Sequence, residues 1–570
     1  SAGYATGAFV AGFPLDAGYG LNQGFDVYDD RFPRGAQPDA FFMPQRRGDQ
    51  VVAPALQWWR ANEAKKRFLW VHLYDPHSPY QPAEPFKSRF PRNPYLGEVA
   101  ASDAYLAPLL DPLLAGKGKP TLVVVTADHG ESLGEHGEKT HGLFAYEATL
   151  HVPLVVWGPG IAPGRDERSA RHVDIVPTVL QALRLPVPAG LPGSLLLAAA
   201  PADKGSYFES LSTCLNRGWA PLRGMLRDQK KLIELPIPEL YDLASDAREA
   251  NNRFADDRRT ARDLAARLPS ESVWPPERRD LGSEEEAQLR NLGYAAGSAP
   301  RKAAYTAADD PKNLVELDDQ LHAMLDLYAM GRYEETIALG DRVLAKRPDT
   351  VEAVERVSLA LRHLDRPGEA ITRLRQALVR MPDREALRRQ LGMALSEEGR
   401  SAEAVEVMQP VASTHEVESL DVLGAALSEV GRAQEAETVL RRAIALHPSD
   451  PRPYENLGIA LLRADRVNEA VAELERALGM EDRLVVSWNT LGVARYRLGD
   501  VPGAIRAWQR ATELDPTLYD ALFNLGLVAA QAGRPGEARA ALERFVQTAP
   551  AGQYAPDIAK ARAVLSRIAG

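Results

Sequence analysis

The chain has 570 residues, of which 45% are hydrophobic and 26% are charged, a balance typical of folded domains and unlike that of disordered or collagen-like chains. Its formal net charge of −10 argues against a general affinity for nucleic-acid phosphates. The single cysteine, Cys214, excludes an intramolecular disulfide framework and a cysteine-rich zinc site, and no apolar run approaches the roughly 20 residues of a membrane span.

The first part of the chain alternates between short apolar runs and helical spacing. Three apolar runs predict strands, at residues 68–74, 121–126 and 152–157. The first run is continuously apolar, which is typical of a strand buried on both faces of a sheet. Apolar residues at helical spacing predict a helix over 173–183. This alternation favours an α/β domain over residues 1–253.

A histidine flanked by prolines follows the first predicted strand. His77 stands between Pro76 and Pro79 in the stretch His-Leu-Tyr-Asp-Pro-His-Ser-Pro-Tyr at 72–80. The prolines stiffen the backbone and lack N–H donors, so an imidazole is held where the strand ends. Such a ring can donate a hydrogen bond to an anionic ester or protonate a leaving group. The alternative is an ordinary loop histidine, and His72, inside the predicted strand, is expected to be a core residue.

A cluster of Asp, His, Glu and Gly follows the second predicted strand, over residues 128–142. In open α/β sheets, ligands bind beyond the carboxyl ends of the strands. Asp128 offers a carboxylate oxygen and His129 an imidazole nitrogen, a pair that suits Ca²⁺, Mn²⁺ or Zn²⁺ depending on the remaining ligands. The spacing alone is equally compatible with a solvated polar loop.

A charged, proline-containing linker with one or two short helices is predicted over 254–312, and a period of 34 residues then runs to the C-terminus. Seven units share a turn residue, and a small residue follows the turn by five positions; in five units a proline follows it by seventeen. The turn residues are Gly331, Asp365, Gly399, Gly431, Asp465, Gly499 and Gly533, the small residues Thr336, Ala370, Ala404, Ala436, Ala470, Ala504 and Ala538, and the prolines Pro348, Pro382, Pro448, Pro516 and Pro550. The third interval is short and Glu416 stands where a proline is expected, which predicts an irregular turn.

These landmarks resemble those of tetratricopeptide repeats. One pair of helices cannot bury its own apolar stripe, so neighbouring pairs must stack on each other. The resemblance implies seven repeats over residues 313–570 that form an all-α superhelix. It also implies a peptide or protein partner bound along the concave face.

Roughly the first 300 residues resemble the sulfatase family of the alkaline phosphatase superfamily. The stretch Asp-Pro-His-Ser-Pro-Tyr at 75–80 looks like the family's DPHxPY region, and Asp-His-Gly-Glu at 128–131 looks like its metal loop. Further matching stretches lie at 3–10, 24–30, 146–154, 230–243 and 292–294. The resemblance implies an α/β alkaline-phosphatase-like domain and the hydrolysis of an anionic sulfuric ester.

Residue by residue, the resemblance implies one divalent metal ion held by Asp128 and His129. Calcium is the first expectation for this ion, with manganese or zinc as alternatives. His77 and His141 are implied as catalytic residues that contact the oxygens of the ester. Lys139 is a second candidate for the cationic, substrate-binding role near His141.

The chain departs from the family pattern at the nucleophile. The family makes a formylglycine from Cys or Ser in a C/S-x-P-x-R motif and has two adjacent Asp ligands upstream. Cys214 lacks that proline, and Asp29-Asp30 belongs to the matched stretch 24–30. We therefore expect a sequence truncated on its N-terminal side, with the first strand, both aspartates and the nucleophile in the missing part. Without them, these residues alone are expected to be inactive.

Two other functions are compatible with these patterns. The same scaffold could hydrolyse phosphonates or phosphodiesters or transfer phosphoglycerol groups, and fold alone does not choose among these reactions. Alternatively, a degenerate hydrolase domain could serve as a non-catalytic platform for the repeats. The family resemblance also implies an exported or membrane-anchored protein, whereas the residues themselves do not define the compartment.

Overall fold

The computed structural model describes residues 3–17, 20–32, 45–198, 204–269, 302–414, 416–448 and 450–568. The chain divides into two compact units, Ser1–Ala323 and Met324–Gly570. The first is mixed α/β and the second is all-α, which confirms the predicted fold class. Within the described ranges, no helix is long and apolar enough to cross a bilayer.

The described residues of the first unit form three separate sheets. Strands β1 (Tyr4–Phe9), β2 (Val27–Asp29) and β3 (Lys66–Val71) form a parallel sheet in the order β2-β1-β3, and β4 (Val123–Thr126) pairs antiparallel with β5 (Leu154–Trp157). The strands of the third sheet, an antiparallel meander, are β6 (Ser206–Ser210), β7 (Leu222–Arg227), β8 (Lys230–Glu234) and β9 (Glu239–Asp242). The helices are α1 (Gly48–Ala61), α2 (Phe86–Arg89), α3 (Pro94–Leu114), α4 (Glu147–Leu150), α5 (Ile175–Ala182), α6 (Ser212–Arg217) and α7 (Arg258–Ala265).

Helix α1 covers the parallel sheet. Phe9 of β1 packs with Val51 and Ala55 of α1 in one apolar cluster. The indole of Trp58 lies so close to Gly7 of β1 that a Cβ on this glycine would be 2.9 Å from a ring carbon. Helix α1 thus packs closely against β1, whose C-terminal end lies beside the C-terminal end of β3.

The three predicted strands and the predicted helix are present, with shifted ends. The expected burial of the first strand on both faces is wrong, since Phe68 in β3 is 44% exposed. Within the described residues β3 pairs with β1 alone, so it is an edge strand. Val125 of β4 and Val155 of β5 are also exposed, because these two strands form a sheet of their own.

The second part of the chain consists of helix pairs. In order they are Val315–Ala329 with Tyr333–Lys346, Val351–His363 with Pro367–Arg380, Glu385–Glu397 with Ser401–Met408, Val417–Glu429 with Ala433–Leu446, Pro451–Arg463 with Val467–Met480, Val485–Arg497 with Val501–Leu514, and Tyr519–Gln531 with Pro535–Thr548, followed by Ala551–Ile568. The boundaries 1–253, 254–312 and 313–570 stay predictions, and the matched stretch 292–294 lies outside the described residues.

The landmarks of the repeats have the expected structural roles. All seven turn residues adopt a left-handed backbone, from φ 57° at Asp365 to 79° at Gly431, which ends each first helix. All seven small residues are fully buried. The two helices of a pair approach each other closely. For example, a Cβ on Gly492 would lie 2.5 Å from the Trp508 indole. The irregular turn before Glu416 is confirmed, because Ser401–Met408 ends early in a short 3-10 turn.

Candidate active site

The segment that follows β3 holds His77 by both ring nitrogens. Its Nδ1 lies 2.6 Å from the carbonyl oxygen of Ser78, so Nδ1–H is the donor. In the neutral ring Nε2 is then an acceptor, and it lies 3.0 Å from the hydroxyl of Tyr74, which donates to it. Burial lowers the pKa of His77, and the neighbouring rings of His141 and His129 act in the same direction. The neutral imidazole is therefore favoured.

A buried carboxyl group supports this segment from helix α3. Glu98 accepts hydrogen bonds from the backbone N–H groups of His77, at 3.2 Å, and Gln81, at 2.5 Å. Burial raises the pKa of Glu98 to about 7. Asp75, two residues before His77, is also held in place, because its side chain accepts a hydrogen bond from the backbone N–H of Gly48 at 2.8 Å. The backbone around His77 is thus fixed by contacts with residues outside the segment, Glu98 and Gly48.

Two potential metal ligands follow β4. The Nδ1–H of His129 donates to the carbonyl oxygen of Gly130 at 2.9 Å, which leaves the Nε2 lone pair available. That Nε2 lies 3.8 Å from Oδ2 of Asp128, and both side chains are solvent-accessible. This pair fits two positions of a metal site. No group of three His, Cys, Asp or Glu side chains in the described part of the chain is arranged to hold a metal, so further ligands are required.

His141 lies between the two strand exits. Its ring centroid is 4.2 Å from that of His129 and 5.0 Å from that of His77. Its Nδ1–H donates to Oε1 of Glu131 at 3.1 Å, and the Glu131 side chain is only 5% exposed. The carboxylate fixes the tautomer that leaves Nε2 of His141 free to bind a ligand. The structure therefore brings three of the predicted site histidines together.

Residues 130–142, hereafter the active-site loop, are anchored at both ends. Gly130 donates its N–H to the carbonyl of Thr149 at 2.8 Å, and a Cβ at this position would lie 2.3 Å from the carbonyl oxygen of Ala148. Near the other end, buried Glu138 accepts from the N–H of Leu143 at 2.7 Å. Burial raises the pKa of Glu138 to about 7. These contacts determine where Glu131 and His141 lie.

Other polar residues of the sequence patterns lie outside the histidine cluster. The ammonium of Lys139 forms an ion pair with Asp319 at 2.8 Å. The ring of His136 stacks on Tyr146, with centroids 3.6 Å apart. His72 is partly buried, and burial lowers its pKa, as expected of a histidine in the body of the fold.

Sequence reasoning did not single out Glu131, Tyr74 or Glu98. Glu131 shares its loop with Glu135 and Glu138, and spacing alone does not tell which of these carboxylates meets His141. Tyr74 lies three residues before His77, and the sequence indicates only that it ends the predicted strand. Glu98 lies on a helix 21 residues beyond His77, and no local signal connects the two.

Comparison with known proteins gives three domain matches. Residues 1–185 match the model of the sulfatase family. Residues 422–482 and 489–556 match a tetratricopeptide repeat model, and residues 302–421 match the model of a bacterial transcriptional activator domain.

Among curated proteins, this chain is similar to arylsulfatase K of Bos taurus, with 34% identity over 177 residues that cover 28% of this chain and 32% of the relative. It is also similar to an N-acetylglucosamine-6-O-sulfatase of Bacteroides thetaiotaomicron, with 31% identity over 177 residues that cover 28% of this chain and 31% of the relative. The chain thus spans about a third of the length of these relatives.

The chain is also similar to two solved structures. The Cut9–Hcn1 hetero-tetramer of the APC/C matches with a TM-score of 0.39 and 17% identity, covering 56% of this chain and 60% of that one. A tetratricopeptide repeat protein of Parabacteroides merdae matches with a TM-score of 0.37 and 10% identity, covering 44% of this chain and 98% of that one.

Proposed function

We propose that this chain, a sulfatase-family domain followed by tetratricopeptide repeats, forms part of a metal-dependent hydrolase of sulfuric esters. One observation carries the proposal. The imidazoles of His77, His129 and His141 come from two strand exits and one loop, yet the ring of His141 lies 4.2 Å from that of His129 and 5.0 Å from that of His77, and His129 lies beside Asp128. A cluster of titratable side chains at the ends of strands is the usual site of catalysis in α/β proteins.

In this proposal His141 and His77 contact the oxygens of the ester. The Glu131 carboxylate accepts from Nδ1–H of His141, so Nε2 is the ring atom left to exchange a proton with the ester. At His77, Nε2 accepts from the Tyr74 hydroxyl, and a ring that gains a proton would donate Nε2–H to a sulfate oxygen once that hydroxyl turns away. In this proposal both rings stabilise the negative charge that develops on the ester oxygens during hydrolysis.

Asp128 and His129 would hold the metal ion, with calcium as the first expectation and manganese or zinc as alternatives. When bound, such an ion supplies Lewis-acid stabilisation of negative charge. The remaining ligands and the formylglycine nucleophile would come from a segment preceding residue 1. The 570 residues alone would then bind metal weakly and have no sulfatase activity.

The charges around the cluster favour a sulfate over a phosphate monoester. Lys139 is paired with Asp319, so its ammonium is not free to compensate a second negative charge on the ester. A singly charged sulfate ester needs less compensation than a doubly charged phosphate monoester. Phosphodiesters, also singly charged, are the alternative that substrate measurements must separate.

The repeats supply a second function in this proposal. Stacked helix pairs typically present a continuous surface to a peptide or protein, and we assign them a partner of this kind. If the hydrolase domain were a platform alone, binding by the repeats would be the whole function of the chain.

A substrate panel and metal analysis on the complete natural protein test the proposal. We expect the highest kcat/KM on an aryl sulfate, compared with aryl phosphate, phosphodiester and phosphonate esters. Asp128→Ala should abolish both bound metal and activity, whereas Asp103→Ala, an exposed aspartate of α3, should change neither. Highest efficiency on a phosphodiester would replace the proposed substrate class. Unchanged metal content in Asp128→Ala would favour the non-catalytic platform.

A further inference from the structure

We propose that residues 302–323, hereafter the connecting segment, position the active-site loop, so that the start of the first repeat helix is a working part of the proposed hydrolase. The inference rests on the proposed function, because the position of the loop matters for catalysis only if His141 acts there. The connecting segment belongs to the first compact unit, although its last residues open helix Val315–Ala329.

Two contacts join the first turns of this helix to the middle of the loop. Gly137 has φ 86°, and a Cβ built on it would lie 3.1 Å from Cγ1 of Val315. Lys139 Nζ lies 2.8 Å from Oδ2 of Asp319. Val315 and Asp319 are four residues apart and so share one face of the helix. Val315 lies beside Gly137, four residues before His141, and Asp319 pairs with Lys139, two residues before it.

An apolar contact continues on the other side of His141. Leu143 and Phe144 directly follow the loop, and both are buried in one cluster with Leu314, while Leu317 packs against that cluster. Burial of such side chains contributes more to stability than an exposed ion pair does. The connecting segment therefore holds the chain before and after His141.

The connecting segment is itself fixed to the turn between β8 and β9 and to helix α6. Asp310 is fully buried and accepts from the backbone N–H of Ile237 at 2.8 Å. Lys312 Nζ donates to the carbonyl of Ile237 at 2.7 Å. Further along, Asp318 forms an ion pair with Arg217, and both side chains are mostly buried. Because these anchors do not involve the loop, the segment provides an independent support against which the loop is placed.

The two loop contacts differ in strength. The side chains of Lys139 and Asp319 are 70% and 34% exposed, so water screens their attraction and the pair shifts an equilibrium by about 2- to 5-fold. Val315 fills the space beside Gly137, and removing two of its carbons shifts the equilibrium by about 5- to 10-fold. Val315 therefore makes the stronger of the two contacts with the loop, and the ion pair of Asp319 contributes less.

Hydrogen exchange on the present chain tests the positioning without any need for activity. We expect the amides of residues 138–144 to exchange about 5- to 10-fold faster in Val315→Ala and about 2- to 5-fold faster in Asp319→Lys. The double variant Lys139→Glu/Asp319→Lys restores an ion pair and should return the rates to those of the natural chain. Asp326→Ala, an exposed aspartate on the same helix, should leave them unchanged. Exchange rates in Val315→Ala and Asp319→Lys that equal those of the natural chain would overturn the inference.

Kinetics of the complete natural protein then separate the two proposals. Val315→Ala should lower kcat/KM on an aryl sulfate by about 5- to 10-fold, whereas Asp326→Ala should leave it unchanged. Equal kcat/KM in these two variants, despite faster exchange in Val315→Ala, would contradict a positioning role for the segment. Faster exchange in Val315→Ala, together with no sulfatase activity in the complete natural protein, would refute the proposed function and leave the loop contact established.

Discussion

Glu131 and His141 form a carboxylate–imidazole pair within one loop, with Oε1 of the first 3.1 Å from Nδ1 of the second. The carboxylate is almost fully buried, whereas the imidazole keeps about a quarter of its side chain accessible. A buried carboxylate that accepts from Nδ1–H orients the ring. The pair thus holds the ring of His141 beside the rings of His77 and His129.

Glu131→Gln should lower activity without unfolding the protein. The amide retains the size of the side chain and one acceptor but loses the negative charge that accepts from Nδ1–H of His141 and orients the ring. We expect kcat/KM on an aryl sulfate to fall by about 10- to 100-fold in the complete natural protein. Glu63→Gln, at an exposed position, is the matched control. Activity equal to that of the natural protein would show that the pair has only a structural role.

Stability of the first unit should depend on pH through Glu98. Its pKa is raised by burial to about 7 from an ordinary value of 4.5, so the unfolded chain releases this proton more readily than the folded chain. The free energy of unfolding should therefore fall as the pH rises from about 4.5 to 7, by on the order of 1–3 kcal/mol. Urea titrations followed by tryptophan fluorescence measure this slope.

Glu98→Gln should flatten the same profile, since the amide does not titrate. The variant remains able to accept one of the two backbone N–H groups, those of His77 and Gln81. A slope between pH 4.5 and 7 that persists in Glu98→Gln but disappears in Glu138→Gln would assign the effect to the loop carboxyl instead. Burial raises the pKa of Glu138 to about 7 as well.

The repeats could be predicted almost completely from the sequence, because each landmark has a local physical cause. A turn residue such as Gly331 needs a left-handed backbone, and a residue such as Ala470 must be small where two helices touch. The burial of β3 could not be predicted in the same way. Its apolar run is compatible with either a central or an edge strand, and that choice depends on which strands pair with it.

The sequence predicts the histidines of the candidate site, but it does not predict the groups that orient them. His77, His129 and His141 follow strands or lie in a glycine-rich loop, which are local features. The partners Glu131 and Glu98 are selected by the three-dimensional path of the chain, as is Asp319, which pairs with Lys139 from 180 residues away. Contacts of this kind are invisible to periodicity and spacing.

Metal binding by the present chain should be weak. Asp128 and His129 supply one carboxylate and one imidazole, too few ligands and too little charge for tight binding of Ca²⁺. We expect a Kd on the order of 1 mM or weaker by calorimetry, and a further loss in Asp128→Ala. Micromolar binding that survives Asp128→Ala would place the metal elsewhere. If a preceding segment supplies further ligands, as proposed, the complete natural protein should bind at least about 100-fold more tightly.

The close approach of paired helices in the repeats makes a final prediction that is independent of catalysis. A Cβ on Gly492 would lie 2.5 Å from Nε1 of Trp508, a large side chain that is almost fully buried and has little room to shift. Gly492→Ala should therefore destabilise the repeats by about 1–3 kcal/mol in thermal or urea unfolding. Gly479→Ala is the matched control, since it lies in helix Val467–Met480 with no atom within 4 Å of the added carbon. That control should leave stability unchanged or raise it by about 0.5–1 kcal/mol, because alanine restricts the unfolded chain more than glycine does. Equal effects of the two substitutions would mean that the helices separate readily at this contact.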